Sequence, residues 1–166
     1  MKKLYYEVKK CLGCKSCEIS CSIAHSKTSD LFKMLKEETV PLPRKKVFSS
    51  DSKNYPVSCR HCKEAKCVDA CMAVALTYDA KKGIVNHDES RCVGCWMCVM
   101  ACPYGAIRPN IKAKIPVRCD KCTPPHQLQN NKHEFLNWCG GVDEPSCVKA
   151  CPTHAIVWQE EELTKK

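Results

Sequence analysis

No stretch of this chain stays apolar for anything near the ~20 residues that a membrane-crossing helix needs. Glycine is sparse, six residues in 166, and nowhere builds a phosphate-cradling loop or a dinucleotide fingerprint. A Ser/His/Asp arrangement for acyl transfer is equally missing. These gaps leave no recognisable chemistry for an organic substrate, so the chain is expected not to be an enzyme by itself. Aromatics are only 7% of residues, and the apolar core alone must be thin. Met1-Lys2-Lys3-Leu4-Tyr5-Tyr6-Glu7 turns charged too soon for a secretory signal, and no twin-arginine leader is visible. A soluble, cytoplasmic protein without a membrane span is expected.

What the chain has in excess is cysteine, seventeen residues. Sixteen fall into four groups of four. Cys11, Cys14, Cys17, Cys21 and Cys92, Cys95, Cys98, Cys102 both read Cys-x2-Cys-x2-Cys-x3-Cys. Cys59, Cys62, Cys67, Cys71 is a looser version. The last group is split into Cys119, Cys122 and, after an insertion, Cys147, Cys151. A tight Cys-x2-Cys-x2-Cys loop wraps three thiolates around one iron–sulfur cube. In two-cluster ferredoxins the fourth cysteine ligates the other cluster, and a proline follows it. Cys102-Pro103 and Cys151-Pro152 keep that proline; Cys21-Ser22 and Cys71-Met72 lack it, a minor departure because proline binds no metal.

Two other uses of cysteine fit less well. A disulfide scaffold calls for an oxidising compartment and paired thiols, whereas here the count is odd and thiols come in triplets. Zinc favours two Cys-x2-Cys pairs from separate loops; Cys119/Cys122 with Cys147/Cys151 could supply that, but the triplets could not. A zinc-binding structural module is thus the alternative from a different class.

The formal charge of +9 suggests nucleic acid until the cofactors are counted. An oxidised four-iron cube with four thiolates carries about −2, so four of them leave the holo-protein near +1. The basic residues are counter-charge: Lys9, Lys10 and Lys15 at the first group, Arg60, Lys63 and Lys66 at the second, Arg118 and Lys121 at the fourth. No nucleic-acid partner is expected. With so little apolar core, ligand–metal bonds must supply much of the folding free energy.

Residues 55–110 hold groups two and three around a hairpin: Ala75–Tyr78 as a strand, Asp79–Gly83 as the turn, Ile84–His87 returning, and Ala106–Arg108 following. The second unit, 1–54 plus 111–166, is assembled from both ends, with Leu4–Val8 paired to Ala155–Trp158. The expected fold is α+β, two ferredoxin-like units with one inserted in the other, small antiparallel sheets and short helices around four [4Fe–4S] clusters. Cross-ligation then gives four sets: Cys11, Cys14, Cys17 with Cys151; Cys119, Cys122, Cys147 with Cys21; Cys59, Cys62, Cys67 with Cys102; and Cys92, Cys95, Cys98 with Cys71. Cys139 is the alternative to Cys147. A zinc site from His126, His133 and Cys139 has poor spacing.

Insertions occupy 22–54 and 123–146. The first holds a helix over Asp30–Glu38, capped by Ser29 or Asp30, which either docks a partner or covers the clusters. Pro41–Lys46 reads as an extended connector. His25, His61, His87 and His154 read as surface or turn residues, and Trp96 as packing beside a cube.

Four groups in this order, with the last one split, resemble the four-cluster ferredoxin-like electron-transfer subunits of dimethyl sulfoxide reductase and formate dehydrogenase. Within that family, Cys11 to His25 is most similar to the iron–sulfur protein associated with carbon monoxide dehydrogenase. The resemblance implies electron transfer from such an enzyme to a hydrogenase or a flavin NAD(P) oxidoreductase. A tungsten or molybdenum oxidoreductase of aldehyde or formate, or a hydrogenase, is the alternative partner.

Overall fold

The computed structural model describes residues 2–122 and 144–160. Cys139, His126 and His133 therefore lie outside the described residues. Strand β1, Lys2–Tyr6, leads through a 3-10 turn at Val8–Lys10 into helix α1, Ser16–Ala24. A single helical turn α2, Leu31–Met34, precedes strands β2, Lys45–Ser50, and β3, Lys53–Ser58. Helix α3, Lys66–Asp69, is followed by β4, Leu76–Asp79, and β5, Ile84–His87. Helix α4, Met97–Ala101, precedes β6, Arg108–Asn110, and β7, Ile115–Val117. Helix α5, Ser146–Lys149, and β8, Ile156–Glu160, complete the described chain. The class is α+β, with four two-stranded antiparallel sheets: β1–β8, β2–β3, β4–β5 and β6–β7. Among the described residues, no helix is long and apolar enough to cross a membrane.

The two ends of the chain do pair. Tyr6 lies opposite Ile156 and Leu4 opposite Trp158. The β4–β5 hairpin turns where expected, because Gly83 takes a φ of 60° that side chains resist. The Asp79 carboxylate accepts from Lys81 and Lys82 N–H inside the turn. The strand expected at Ala106–Arg108 begins at Arg108 and pairs with Ile115–Val117.

The segment before Cys59 departs from expectation. Pro41–Lys46 is not all connector, since Lys45 and Lys46 open β2. The line drawn between residues 54 and 55 falls inside β3. Asp51 and Ser52 both take positive φ, 46° and 64°, which is the primed turn that matches strand twist. The helix over Asp30–Glu38 shrinks to one turn. Asp30 caps it, its Oδ1 accepting from Lys33 N–H at 2.9 Å, and only Met34 is buried. Met34 packs on Ile23 and Ala24 at the end of α1.

Two larger apolar clusters form the rest of the core. In one, Val47, Val148, Ala155 and Ile156 gather around Cys17, Cys147 and Cys151. In the other, Ala65, Leu76, Val85 and Ile107 gather around Cys67 and Cys98. Helix α1 packs on α5, and α3 on α4. Each core is thus small and centred on thiols, as a cysteine-rich, aromatic-poor sequence dictates.

Candidate metal centres

Each cysteine group begins with the same backbone device. The second residue after the first cysteine takes positive φ in all four: Gly13 (72°), His61 (50°), Gly94 (68°) and Lys121 (58°). In the two triplets the residue after the second cysteine does so too, Lys15 at 60° and Trp96 at 62°. Left-handed residues among right-handed ones curl the chain into a concavity and point N–H groups inward, which suits an anion. A Cβ on Gly13 would come within 2.6 Å of Asn54 Oδ1, and one on Gly94 within 2.7 Å of the Lys114 carbonyl oxygen. Backbone stands in the way at Gly94, whereas at Gly13 the obstacle is a side chain that can move.

The third cysteine of every group is the second residue of a short helix: Cys17 in α1, Cys67 in α3, Cys98 in α4 and Cys147 in α5. The fourth follows four residues later in every group. Pairing of α1 with α5, and of α3 with α4, then carries each fourth cysteine across to the other loop. Cys71 joins Cys92, Cys95 and Cys98 around one cavity, with Trp96, His87 and Pro116 on its wall. Cys102 joins Cys59, Cys62 and Cys67 around another, under Ala106 and Ile107. Cys11 packs against Cys17, Cys147 and Cys151 in the first core. Cys21 lies within electrostatic reach of Cys122, Cys147 and Cys119. All sixteen of these cysteines are free thiols.

Burial disfavours their charged form. It raises the thiols of Cys17, Cys67 and Cys122 to about 11 and holds Cys21 and Cys119 well above the ordinary value. Thiolates become favourable there only beside a cation. Backbone donors are already in place: Arg44 N–H to Cys21 Sγ at 3.2 Å, Lys121 N–H to Cys119 Sγ at 3.4 Å and Ala155 N–H to Cys151 Sγ at 3.2 Å. At Cys151 burial is opposed by the N–H groups of Ile156 and Ala155 and by the Thr153 hydroxyl, and the pKa falls.

A second observation concerns nitrogen. Lys45 Nζ, Arg118 Nε, His61 Nε2, His87 Nε2 and Trp158 Nε1 are buried without a hydrogen-bond partner. Each adjoins a cysteine group: His87 in the Cys71 cavity, Trp158 against the first core, Lys45 near Cys147, Arg118 near Cys59, and His61 between Cys59 and Cys62. Buried donors of this kind want acceptors, and cluster sulfur supplies them. The donor set fits an iron–sulfur cofactor.

Two of the histidines read as surface or turn residues have buried side chains, His25 in the turn that ends α1. His61 is 2% exposed, and its Nδ1 accepts the Val85 N–H at 3.1 Å; burial and the neighbouring Arg118 and Lys121 charges lower its pKa to about 3. The His25 side chain is 5% exposed and lies 3.2 Å from Asp120 Oδ2. Arg44 pairs with the same carboxylate at 2.5 Å, and Asp120 Oδ1 accepts from Cys122 N–H at 3.0 Å. His25, Asp120 and Cys122 are also close enough to hold a metal ion together. Of the basic residues expected to flank the clusters, Lys9, Lys10, Lys15, Arg60, Lys63 and Lys66 are exposed; only Arg118 and Lys121 are buried. Lys45, not anticipated, is buried as well.

Comparison with known proteins agrees with this chemistry. Residues 51–161 match the family described as 4Fe-4S dicluster domain, and residues 9–27 match a 4Fe-4S binding domain. The chain is 36% identical over 158 residues to the electron transport protein HydN of Escherichia coli (strain K12), covering 91% of this chain and 83% of that protein. It is 35% identical over 155 residues to an iron-sulfur protein of Rhodospirillum rubrum, covering 92% and 79%. Formate hydrogenlyase subunit 2 of E. coli K12 is 31% identical over 164 residues, covering 88% and 75%. With sixteen cysteines in four groups, the cofactors are four [4Fe–4S] clusters.

Proposed function

This chain belongs to the 4Fe-4S dicluster family, and from that premise we propose that it is a non-catalytic subunit relaying single electrons between a catalytic redox enzyme and a second protein. When bound, the clusters supply the one-electron chemistry. The protein holds them, keeps water out and fixes their spacing. The ligand sets are Cys11, Cys14, Cys17, Cys151; Cys21, Cys119, Cys122, Cys147; Cys59, Cys62, Cys67, Cys102; and Cys71, Cys92, Cys95, Cys98. Cys147 rather than Cys139 is the third ligand of its set, because it shares with Cys17, Cys67 and Cys98 the second position of a short helix. The inner unit, drawn at 59–117 instead of 55–110 so that neither the β2–β3 nor the β6–β7 hairpin is cut, is inserted in an outer one formed by the rest of the chain, each with its own thiol-centred core. The observation that carries this is the convergence of four thiols on one cavity, twice over.

The partner is an oxidoreductase in the cytoplasm. Carbon monoxide dehydrogenase is what the likeness at Cys11–His25 implies, with a hydrogenase or flavin NAD(P) oxidoreductase as acceptor. A formate- or hydrogen-linked complex, with molybdenum or tungsten at its catalytic centre, is favoured by the relative named formate hydrogenlyase subunit 2. Anaerobic preparation should give about sixteen irons and sixteen acid-labile sulfides per chain. Zinc without sulfide would end the proposal. Co-purification of the native complex then separates the partners, since a nickel–iron–sulfur enzyme points to carbon monoxide and a pterin enzyme to formate.

A further inference from the structure

Among the described residues three lysine or arginine cations are buried, and they differ in how they are satisfied. Lys121 Nζ donates to the Gly83 carbonyl at 3.0 Å and the Lys2 carbonyl at 3.2 Å, which makes it a strut between chain segments. Lys45, 3% exposed at the start of β2, has no hydrogen-bond partner for its Nζ, and no carboxylate pairs with it among the described residues. Its surroundings are the Tyr6 ring, 5.2 Å from the ammonium, and the thiols of Cys147, Cys119 and Cys17. Arg118, 4% exposed, donates to the Cys119 carbonyl at 3.3 Å and the Val85 carbonyl at 2.5 Å. Its Nε–H is left over, and the guanidinium lies within reach of Cys59. A fixed charge kept from water with a donor unspent is unfavourable unless an anion adjoins it.

These positions are not scattered. Lys45 lies within electrostatic reach of both outer ligand sets, of Cys17 in one and of Cys147 and Cys119 in the other, with the Tyr6 ring of the same core against it. Arg118 ties the Cys119 loop to the β4–β5 hairpin and faces Cys59. Each cation thus stands at a junction between neighbouring centres. We propose that Lys45 and Arg118 are fixed positive charges at two successive junctions, Lys45 between the two outer centres and Arg118 between the Cys119 and Cys59 centres, where they raise the reduction potentials of the clusters they adjoin. This rests on the ligand sets proposed above. The physical reason is that reduction adds negative charge to a cluster, and a desolvated cation beside it stabilises the reduced form more than the oxidised one. At the Cys71/Cys92/Cys95/Cys98 centre Arg118 acts only at the wall, through His87, and the charges that act on the Cys98 thiol are those of its three fellow cysteines, so this centre serves as the internal reference.

The test is a redox titration of the holo-protein, followed by electron paramagnetic resonance, with iron counted in every sample. Lys45→Met and Arg118→Met remove charge at similar length; Lys45→Arg and Arg118→Lys retain it. Each charge-removing variant should shift two of four midpoints downward by at least one decade in the oxidised-to-reduced ratio, about 59 mV for one electron. The other two should stay, and the charge-retaining variants should titrate near wild type. Unchanged midpoints at full iron content overturn the proposal, as do equal shifts in the Met variants and their charge-retaining counterparts. If the Met variants fail to keep iron while the charge-retaining ones keep it, charge compensation is supported; loss from all four overturns it. A wild-type protein without four titrating centres would instead sink the ligand reading, a distinguishable outcome.

Discussion

The loop at Cys11–Cys21 and the loop at Cys92–Cys102 share one spacing and one pattern of left-handed residues, yet end in different surroundings. After Cys98, helix α4 stops at Ala101, Cys102 is its C-cap and Pro103 follows. After Cys17, helix α1 runs on through Cys21 to Ala24, because Ser22 leaves the helix free to continue. That longer helix buries Ile23 and Ala24 under Met34, and its Glu18 carboxylate accepts the Val47 N–H at 2.7 Å. The β2–β3 hairpin is thereby held beside the first loop, and it brings Lys45 with it. A missing proline that binds no metal turns out to shape what covers one centre. It permits this outcome without forcing it: Cys71-Met72 lacks proline too, yet α3 ends at Asp69 and Val74 turns the chain at a φ of 50°.

The sharpest way to break the comparison is to give the first loop the ending of the third. Ser22→Pro should remove a helical hydrogen bond and clash with the preceding turn, at a cost of about 3 kcal/mol or more. The reciprocal Pro103→Ser frees the unfolded chain and should cost only about 0.4–1 kcal/mol. Denaturant melts of the two holo-variants check this, and equal losses would show that the helix extension does not hold the hairpin.

Next in size is the glycine pair. Alanine at Gly94 or Gly13 must hold a positive φ, which costs about 1–3 kcal/mol in a non-glycine residue. Gly94→Ala should be the worse, since its Cβ meets backbone, the Lys114 carbonyl. The Gly13 Cβ meets the Asn54 side chain, which can swing away at the loss of its 3.0 Å donation to the Cys11 carbonyl. Iron content and melting temperature rank the two.

Smaller again is Asp120→Ala. The carboxylate links Arg44, His25 and the Cys122 N–H around the first loop's fourth cysteine, and the third loop has no counterpart. The side chain keeps some exposure, so solvent screening limits the loss to about 1–2 kcal/mol. Arg44→Ala should cost a similar amount, and the double variant less than the sum.

Much of this was readable in the sequence, and what was not has physical causes. Cysteine spacing reports local loop geometry, so the four loops followed from it, but a helix expected to start at each fourth cysteine starts instead just before the third. Gly83 marked the β4–β5 turn because its φ demands glycine. The β2–β3 turn hid because Asp51 and Ser52 carry the same positive φ without glycine, and Pro56 argued against a strand. Lys45, His25 and His61 reside where polarity predicts water, whereas Arg118 was expected beside the fourth cysteine group and is found there. On the reading proposed above Lys45 faces the charge of a cofactor, and cofactor charge leaves no periodicity in a sequence. The six lysines and arginines that did look like counter-charge are ordinary solvated side chains.

The smallest structural effect belongs to the open side of the third loop. Met100 is 82% exposed and Val93 73%, while Cys95 between them is itself exposed. Among the described residues Met100 is left largely uncovered, so Met100→Lys should change stability by no more than about 0.5 kcal/mol. If electrons enter this centre from a partner, an added ammonium at the contact must be desolvated when the partner docks. Cluster reduction by the purified partner should then slow, while reduction by dithionite stays as in wild type. An equal Met100→Lys effect on both reductants would mean that the cluster itself had been disturbed. No effect on either would move the contact to the other end, where Leu12 is 70% exposed and Cys14 open beside it. The first loop, not the third, would then be the one through which electrons enter.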